Sequence, residues 1–588
     1  MKRRRFVLVD ASIQYTPFRF VSGFLSLLPP SLKIDTAPEL TVPVMVFGFA
    51  TRESPDFEEK REDEEEEEKE QAYNDWPNTA GFDGFHEETA PVELVVKGNI
   101  PEYALGVLYR TGPGGYDVPT SKGTTFSISH WFDGFGQTHR FQLLSSTRVL
   151  YNSRHSTDSL VAHVRRTGNI PSSFTFAQRR DPCQSLWRLF LTTFQPAMSE
   201  LEGKADGLNI AVTVSRDVPG LPATAKDGKR SLYTATDASV LQGLDPDTLE
   251  PVGIARQTDL HPELKGQVSS AHAHVDPETG DLFNYNLDIG RTVTYRVFKT
   301  CKATGETEVL GTITDAPPAY IHSFFMTENF VVLCVYSAHF GMGGIKILYN
   351  KNMLDALDDV SADRRASWYV VDRRHGRGVV RKYTSDAFFA FHSVNAWEED
   401  GGIVAEVPAY ENIDIIKKFY LHNMKGETDE ARKWIAEGRS RFSRFWLPGL
   451  DDVEAGEGKA QLVWAREADM SMELPSINPQ FSTKPTRYTY GLTNRLKSTL
   501  MDGIMKHDSA TGGHLLWEEH AHTPGEAIFV PDPAGTDEDD GVLMSVVLNG
   551  RTGLSYLLVL DAKTLKEVAR AEMRCAVLVG FHGSFVGA

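Results

Sequence analysis

The sequence predicts an all-β fold, most simply a β-propeller, and three observations lead to this prediction. Short runs of β-branched and aromatic residues recur between residues 94 and 560, and turn-forming sequences separate them. These runs do not alternate with long helical segments, so a parallel α/β sheet is not expected. The chain has 588 residues, and radial repetition of small sheets extends to this length whereas a single sandwich does not.

The strands are predicted one by one from their sequence patterns. In chain order they are LVVKGNI (94–100), SLYTAT (231–236), LFNYNL (282–287), TVTYRVF (292–298), FVVLCVYS (330–337), GIVAEVP (402–408), VLMSVVL (542–548) and LSYLLVL (554–560). The sequences DPDTLEP, DPETGD and LDAKTLKE between them suit tight turns. No tryptophan-aspartate signature or other clear repeat is present, so periodicity by itself gives no blade count.

Two segments interrupt the β pattern with helical periodicity. The segment ETDEARKWIAEG (427–438) has Thr428 as its predicted N-cap and Glu430 in its first turn. The segment DPCQSLWRLFLTTFQPAM (181–198) repeats apolar residues at helical spacing. Two interpretations of it stay open: a helix packed on the core, or an apolar surface that contacts a membrane or admits an apolar substrate. The membrane-contact candidates are Cys183, Leu186, Trp187, Phe190 and Phe194.

The N-terminal part of the chain differs from the rest in composition. Residues 1–72 are predicted to be a disordered or poorly specified leader that ends in the acidic run FEEKREDEEEEEKE (57–70). A single folded domain is expected over residues 73–588. The formal net charge is −19, which argues against a nucleic-acid-binding protein because such a protein needs a basic face.

The cysteines and the apolar runs indicate the compartment. The four cysteines are far apart in sequence and form no CxxC pair, which favours a reducing compartment over a disulfide framework. No apolar run reaches the length of a membrane span, and no signal peptide is evident. We therefore predict a cytoplasmic protein, with peripheral membrane association left open.

Four of the 18 histidines occur in similar surroundings. Each lies among apolar or small residues, where a free imidazole is poorly hydrated; they are His272, His322, His392 and His582. A buried histidine needs a partner for each ring nitrogen, and a metal can supply one of them. Cysteine is absent from all four segments, so a divalent first-row metal such as Fe(II) fits better than a thiolate zinc site. The residues alone leave two interpretations: a metal centre near a propeller axis, or unrelated core histidines.

The four segments resemble the signatures of the carotenoid cleavage oxygenase family. SAHAHVDPETGDLF is similar to the stretch whose first histidine binds iron, and IHSFFMTENFVVL, FHSVNAWEE and GFHGSFV are similar to the other three ligand segments. The likeness runs from about residue 76 to residue 588. It implies that His272 rather than His274 is the first ligand, although Ala273 stands where many relatives have proline. It also implies a seven-bladed propeller with a helical and loop cap over the active-site face.

The same resemblance implies three carboxylates that hold the outer nitrogens of ligand histidines. MELPSINPQF places one at Glu473, PGEAIFVPDP places another at Glu526, and TDASVLQGLDP places the third at Asp237. Relatives often have glutamate at the third position, and the shorter aspartate would reach the ring only if its strand lies closer. For each of the three, an ordinary surface charge is the alternative.

Two other patterns are given a structural interpretation. HWFDGFGQTHRF (130–141) contains His130, Asp133 and His139 and could pass for a metal motif, but it resembles a family segment that builds a blade. YRTGPGGYDVP (109–119) is rich in glycine but lacks the lysine and the helix start of a phosphate loop.

The resemblance implies a non-haem Fe(II) dioxygenase that cleaves a conjugated C=C bond with O2 to give aldehydes. No catalytic side chain is expected beyond the metal centre, because the protein's part is to position the alkene and exclude water. WPNTAGFDGFHEETAPVEL, LYRTGPGGY and SISHWFDGFGQTHRF are most similar to fungal torulene-cleaving oxygenases. The expected substrate is therefore a torulene-like carotenoid or an apocarotenoid.

Other functions stay open at this point. Stilbene-cleaving relatives have a lysine beside the first carboxylate, where this chain has Thr236, which counts against a phenolic substrate. A propeller that binds a lipid or a protein without catalysis, or a relative that isomerises and hydrolyses a retinyl ester, is a further alternative. DPCQSLW is similar to a segment of animal retinoid relatives in which the cysteine can be lipidated, so Cys183 is a candidate anchor.

Overall fold

The structure, a computed structural model, describes residues 76–170, 175–178, 201, 203–350, 352–361, 363–426, 438–450, 457–467 and 470–588. The predicted leader 1–72, the predicted helix 181–198 and nearly all of the predicted helix 427–438 lie outside the described residues. These assignments, and the domain boundary near residue 73, stay predictions.

The described chain is built mainly from short strands. In chain order they are β1 Val92–Gly98, β2 Gly106–Gly115, β3 Asp117–Pro119, β4 Thr125–Ser127, β5 Phe135–Ser145, β6 Arg148–His155, β7 Thr213–Arg216, β8 Leu232–Ala235, β9 Val240–Leu244, β10 Pro251–Arg256, β11 Val268–Ser269, β12 His274–Val275, β13 Leu282–Ile289, β14 Val293–Thr300, β15 Thr307–Ile313, β16 Phe325–Met326, β17 Phe330–Val335, β18 Ala366–Asp372, β19 Val379–Ser385, β20 Asn395–Glu399, β21 Gly402–Ala409, β22 Arg441–Leu447, β23 Gly458–Lys459, β24 Gln461–Ala465, β25 Met472–Ser476, β26 Tyr488–Thr493, β27 Gly503–Asp508, β28 His514–Trp517, β29 His522–Pro524, β30 Ile528–Pro531, β31 Gly541–Asn549, β32 Leu554–Asp561, β33 Glu567–Glu572 and β34 Gly583–Gly587. All of the strand runs predicted from sequence overlap these strands.

The strands form a series of small sheets. Five sheets have the orders β10-β9-β8-β7, β11-β13-β14-β15 with β12 also on β13, β16-β17-β18-β19-β23, β20-β21-β22-β24 and β25-β26-β27-β28. A ten-stranded sheet has the order β29-β31-β32-β33-β1-β6-β5-β2-β34, with β30 also on β31, and β3 and β4 form a separate hairpin. This repetition of meandering sheets confirms the predicted all-β propeller architecture.

The predicted number of blades is corrected. The structure shows five separate blades rather than seven, because the first and last strands of the chain share one continuous sheet. The strand β1 pairs with both sides of that sheet: Val92 lies opposite Tyr151 of β6, and Val95 lies opposite Glu572 of β33. This pairing closes the ring between the two ends of the chain, and sequence periodicity carries no signal of it.

The described helices are short. The longest, Asp158–Thr167, ends at Gly168, which adopts a left-handed conformation (φ 75°) and donates its backbone N–H to the Val164 carbonyl. The others are Gln257–Leu260, Ile345–Asn350, Met353–Ala356, Asp414–Lys418 and Leu421–Met424, and single 3-10 turns occur at Thr79–Gly81, Glu102–Ala104, Trp131–Asp133, Met342–Gly344 and Pro479–Phe481. No described helix is long and apolar enough to cross a membrane. The predicted helical cap stays a prediction.

Burial differs between central and outer strands of a blade. Every residue of β17 is buried, which explains its continuous apolar run FVVLCV. Toward the outer edge of the same sheet, β19 alternates buried and less buried residues, with Arg381, Tyr383 and Ser385 on the buried side. Central strands therefore face neighbouring blades on both sides, and the sequence pattern reflects this.

Each of the four histidines lies next to a strand at the edge of its sheet. His322 precedes β16, His392 precedes β20 and His582 precedes β34, and each of these strands ends the order of its sheet. His272 lies between β11 and β12, at the corresponding edge of another sheet. Since the edge strands of propeller blades line the central axis, four distant parts of the chain meet there.

Candidate metal centre

The four predicted histidines converge on one point. One ring nitrogen from each of His272, His322, His392 and His582 lies within 4.8 Å of the corresponding nitrogens of the other three. The Nε2 atom of His272 is 3.1 Å from Nε2 of His322 and 3.1 Å from Nε2 of His582. The Nε2 atoms of His392 and His582 are 3.2 Å apart. The fold thus joins residues separated by up to 310 positions.

Three of these imidazoles are held from outside by the three predicted carboxylates. Each uses its Nδ1 atom: His322 lies 2.9 Å from both carboxylate oxygens of Asp237, His392 lies 2.6 Å from Glu473, and His582 lies 2.7 Å from Glu526. A carboxylate beside Nδ1 fixes the proton there, so Nε2 presents a lone pair toward the cluster.

The Nε2 contacts have the geometry of a metal site. His392 and His582 both carry the proton on Nδ1, so their Nε2 atoms, 3.2 Å apart, cannot hydrogen-bond to each other. Their convergent lone pairs are mutually repulsive unless a cation lies between them. A nitrogen–metal bond of about 2.1 Å separates neighbouring ligands at a right angle by about 3.0 Å. The donor set therefore fits a divalent first-row metal.

Burial favours the neutral form of two of the imidazoles, His272 and His582. Burial, together with the nearby His582, His322 and His392, holds the pKa of His272 well below its ordinary value. Burial also lowers the pKa of His582 to about 4, although Glu526 acts in the opposite direction. Neutral imidazole is the form that binds a metal, so the site is prepared for one at neutral pH.

The two glutamates beside the cluster, Glu473 and Glu526, have lowered pKa values and are supported by further residues. Burial raises the pKa of Glu473, but His392, the Tyr410 hydroxyl and the Leu474 N–H outweigh it, and the net pKa is below the ordinary value. The pKa of Glu526 is likewise lowered on balance. Tyr410 donates its hydroxyl to Glu473 at 2.7 Å.

The short side chain of Asp237 still reaches its histidine. Its carboxylate oxygens accept hydrogen bonds from the Tyr320 hydroxyl at 2.9 Å and the Ala271 N–H at 3.2 Å, in addition to His322. These contacts hold the carboxylate against the ring. The aspartate is therefore held in contact with the ring of His322 despite its shorter side chain.

Sequence reasoning missed the outer partners Tyr320, Tyr410 and Arg110. Arg110 donates Nη1 to Glu526 at 2.7 Å and Nη2 to the Phe581 carbonyl at 3.2 Å. Tyr320 was open to detection, since it lies two residues before His322 in AYIH. Arg110 lies in YRTGPGG, where the glycines are the more conspicuous pattern. No local sequence pattern identifies Tyr410.

A cavity of about 390 Å³ adjoins the cluster. His322, His392 and His582 lie in its wall, which is otherwise largely apolar. Its aromatic wall residues are Trp131, Phe132, Phe135, Phe176, Phe391, Phe419 and Phe581. Thr236 also lines it, next to Asp237. The arrangement can hold an apolar molecule beside a metal.

The remaining histidine and cysteine candidates lie elsewhere. His274 Nε2 is 2.8 Å from the Phe324 carbonyl, outside the cluster. His130 Nε2 is 2.8 Å from the Ile416 carbonyl, and His139 Nδ1 is 2.9 Å from the Tyr151 hydroxyl, in agreement with a structural role. The membrane-contact candidates Cys183, Leu186, Trp187, Phe190 and Phe194 lie outside the described residues.

Comparison with known proteins identifies the family of this chain. A carotenoid dioxygenase of Neurospora crassa is 39% identical, covering 87% of this chain and 92% of the relative. A torulene dioxygenase of Gibberella fujikuroi is 40% identical, covering 87% and 94%. The fold is similar to that of a mutant of Synechocystis apocarotenoid oxygenase, with a TM-score of 0.69 at 21% identity over 88% of this chain and 100% of that chain. The model of the family described as retinal pigment epithelial membrane protein, RPE65, matches residues 81–587. The chain therefore belongs to the RPE65 carotenoid oxygenase family, and the resemblance stated from its histidine segments is confirmed.

Proposed function

We propose that this protein is a carotenoid cleavage dioxygenase that uses Fe(II) and O2 to split a conjugated C=C bond of a torulene-like carotenoid or apocarotenoid into aldehydes. The observation that carries the proposal is the convergence of four imidazoles, three of which line a largely apolar cavity. The names of the relatives, carotenoid dioxygenase and torulene dioxygenase, support the same reaction.

The proposed metal ligands are His272, His322, His392 and His582. Asp237, Glu473 and Glu526 orient three of them and raise the basicity of the rings. Fe(II) bound by these imidazoles would supply the oxygen-activating chemistry. Because four imidazoles leave coordination positions open, a small ligand and an alkene can approach together.

The cavity residues position the substrate. A polyene offers many similar double bonds and few polar groups, so the shape of the cavity must select the bond. Phe391 and Phe581 lie in the cavity wall immediately before the ligands His392 and His582. Their rings can stack on a conjugated chain, exclude water and hold one double bond next to the cluster.

A stilbenoid substrate is the second candidate, and the cavity disfavours it. The described cavity lining contains no lysine and no tyrosine, so the phenol-holding lysine of stilbene-cleaving relatives has no equivalent among the described lining residues. Thr236 offers one hydroxyl near Asp237. A non-catalytic lipid- or protein-binding propeller is disfavoured for another reason, since it has no use for four convergent imidazoles of which three have their tautomer fixed by a carboxylate.

The test is an aerobic assay of iron-loaded protein with torulene, β-carotene and resveratrol in parallel. Carotenoid aldehydes from the wild type and none from His392→Ala are the expected result. His274→Ala is the matched control, because it removes a histidine that lies outside the cluster. Cleavage of resveratrol alone would contradict the proposed substrate, and absence of any product despite bound iron would contradict the proposed reaction.

Peripheral membrane contact through the segment 181–198, with Cys183 as an acylated anchor, is a separate proposal. An apolar carotenoid has to leave a bilayer before it can enter the cavity. Hydroxylamine cleaves thioesters, so treatment of native protein should release an acyl group from the wild type and none from Cys183→Ser. Lack of a thioester-linked acyl group on the wild type would contradict this proposal.

A further inference from the structure

The cavity reaches the surface beside two polar residues. Arg256 and Gln267 both line the cavity and both are exposed, whereas the lining residues Phe391 and Phe581 near the cluster are buried. Arg256 ends β10, and Gln267 immediately precedes β11. Arg256 and Gln267 are therefore an exposed, polar part of the lining, whereas the lining beside the histidines is buried and apolar.

The guanidinium of Arg256 has no partner among the described residues. Its backbone N–H donates to Asp259 at 2.8 Å, but its side chain forms no ion pair or hydrogen bond with the described part of the chain. By contrast, the exposed Arg230 pairs with Asp227 and Asp247. An unpaired guanidinium at a cavity opening is a set of donors suited to a carboxylate or carbonyl oxygen.

We propose that Arg256 forms a subsite for the oxygenated end of a shortened polyene, namely an apocarotenoid that ends in a carboxylate or a carbonyl group. This inference rests on the proposed cleavage function and adds a residue that selects among its substrates. A hydrocarbon carotenoid has no group for the guanidinium, so the subsite distinguishes substrates that were already cleaved or oxidised once.

The position of Arg256 also relates the polar end of the substrate to the bond that is cleaved. Arg256 lies opposite Val240 of β9, and Val240 is three residues from Asp237, which holds His322. Three residues span at most about 11 Å. A substrate end bound by Arg256 is therefore held near the cluster, which restricts the double bonds that can reach it.

The experiment compares wild type, Arg256→Met, Arg256→Lys and the control Arg574→Met. Arg574 is an exposed arginine that does not line the cavity. Each iron-loaded protein is assayed with β-carotene, an apocarotenal derived from it and the corresponding acid, and the cleaved bond is read from product masses. Separately, binding of retinoic acid and of its hydrocarbon analogue is measured by quenching of protein fluorescence.

Arg256→Met is expected to lower kcat/KM for the acid about tenfold relative to β-carotene, mainly through KM, because one charge-assisted contact at a partly exposed site is lost. The kcat/KM for the aldehyde relative to β-carotene should fall less, by about threefold, since the aldehyde oxygen is uncharged. Arg256→Lys should retain part of the kcat/KM for the acid relative to β-carotene. Arg256→Met should cleave the acid at more than one double bond. Arg574→Met should give the wild-type ratios.

Three results would overturn the subsite. One is an equal loss on all substrates, which indicates a structural role; another is unchanged ratios and unchanged binding of retinoic acid. The third is weaker binding to anionic vesicles with unchanged substrate ratios, which would assign Arg256 to a membrane surface. If the wild type cleaves no polyene, the proposed function fails, and the fluorescence measurement still decides whether Arg256 binds an acid.

Discussion

At the scale of single residues, the cluster depends on contacts from outside it. Each carboxylate that holds a histidine also receives a donor from a distant part of the chain: Tyr320 for Asp237, Tyr410 for Glu473 and Arg110 for Glu526. Only Glu526 has a cationic partner among these three. Since both groups of that pair are almost fully buried, neither can be removed without leaving the other charge unsolvated.

We predict that Arg110→Met destabilises the protein by about 3–5 kcal/mol, because Glu526 then remains as an uncompensated buried charge. The measurement is the free energy of unfolding from urea denaturation. The control is Arg148→Met, which removes an arginine from a fully exposed pair with Glu93, and little change is expected there. A similar small effect of both substitutions would contradict a stabilising role for the buried pair.

At the scale of elements, the glycine-rich segment in β2 allows two backbones to come together. Thr111 pairs with the segment that carries His582: its N–H donates to the His582 carbonyl at 2.9 Å, and its carbonyl accepts from the Phe581 N–H at 2.9 Å. A Cβ atom on Gly112 would lie 2.5 Å from the Gly580 Cα atom. The glycine is needed for this approach, so the segment has a packing role instead of a phosphate-binding one.

We predict that Gly112→Ala weakens metal binding about tenfold and destabilises the fold by about 1–3 kcal/mol, because the His582 segment must shift. Competition with a chelator gives the metal affinity. Gly253→Ala is the control, since a Cβ there meets no atom within 4 Å. Unchanged metal affinity in Gly112→Ala would show that the His582 segment accommodates the methyl group without moving the ligand.

The pairing of β5 with β6 should make stability depend on pH. Burial, followed by the nearby His155, Arg110 and His86, lowers the pKa of His139 to about 3 from an ordinary value of 6.5. The unfolded chain therefore binds a proton that the folded protein does not, and this contribution to stability is present above pH 6.5 and declines as the pH falls toward 3. At pH 5 the loss is about 2 kcal/mol.

His139→Gln should remove this part of the acid sensitivity. The expected result is a free energy of unfolding that changes less between pH 6.5 and pH 5 than in the wild type, whatever its absolute value. His261→Gln is a suitable control, because His261 lies near the surface outside this pairing. If the free energy of unfolding changes equally with pH in the wild type and in His139→Gln, His139 is not a source of the acid sensitivity.

At the scale of the whole molecule, the four proposed metal ligands connect four different sheets. A metal bound to residues 272, 322, 392 and 582 therefore joins parts of the ring that the chain itself connects only through long stretches. A ligand that binds the folded state alone stabilises it by mass action. The strand β1 also joins parts of this ring, because it pairs with β6 on one side and with β33 on the other.

We predict that Fe(II), added without oxygen at about 100 times its dissociation constant, raises the free energy of unfolding by about 2.7 kcal/mol. Thermal and urea unfolding of chelator-treated and iron-loaded protein provide the measurement. His392→Ala should show a smaller increase at the same iron concentration, and His274→Ala should match the wild type. Equal stability with and without iron in the wild type would contradict a site that exists only in the folded protein.

The sequence by itself determined the strand runs, the all-β propeller class and the identities of the four histidines and three carboxylates. Strand runs are readable because alternation and apolar content follow directly from burial, and FVVLCV in β17 is an example. The histidines and carboxylates were identified because the segments around them resemble, in order, the signature segments of the family.

Only the tertiary structure decided how these parts meet. The five separate blades and the shared ten-stranded sheet depend on long-range pairing of β1 with both β6 and β33, and strand order is not encoded in local periodicity. The same is true of Arg110, Tyr320 and Tyr410, whose partners lie between 63 and 416 positions away in the chain. The physical reason is that such contacts depend on three-dimensional distance, whereas a sequence pattern reports only the local environment of each residue.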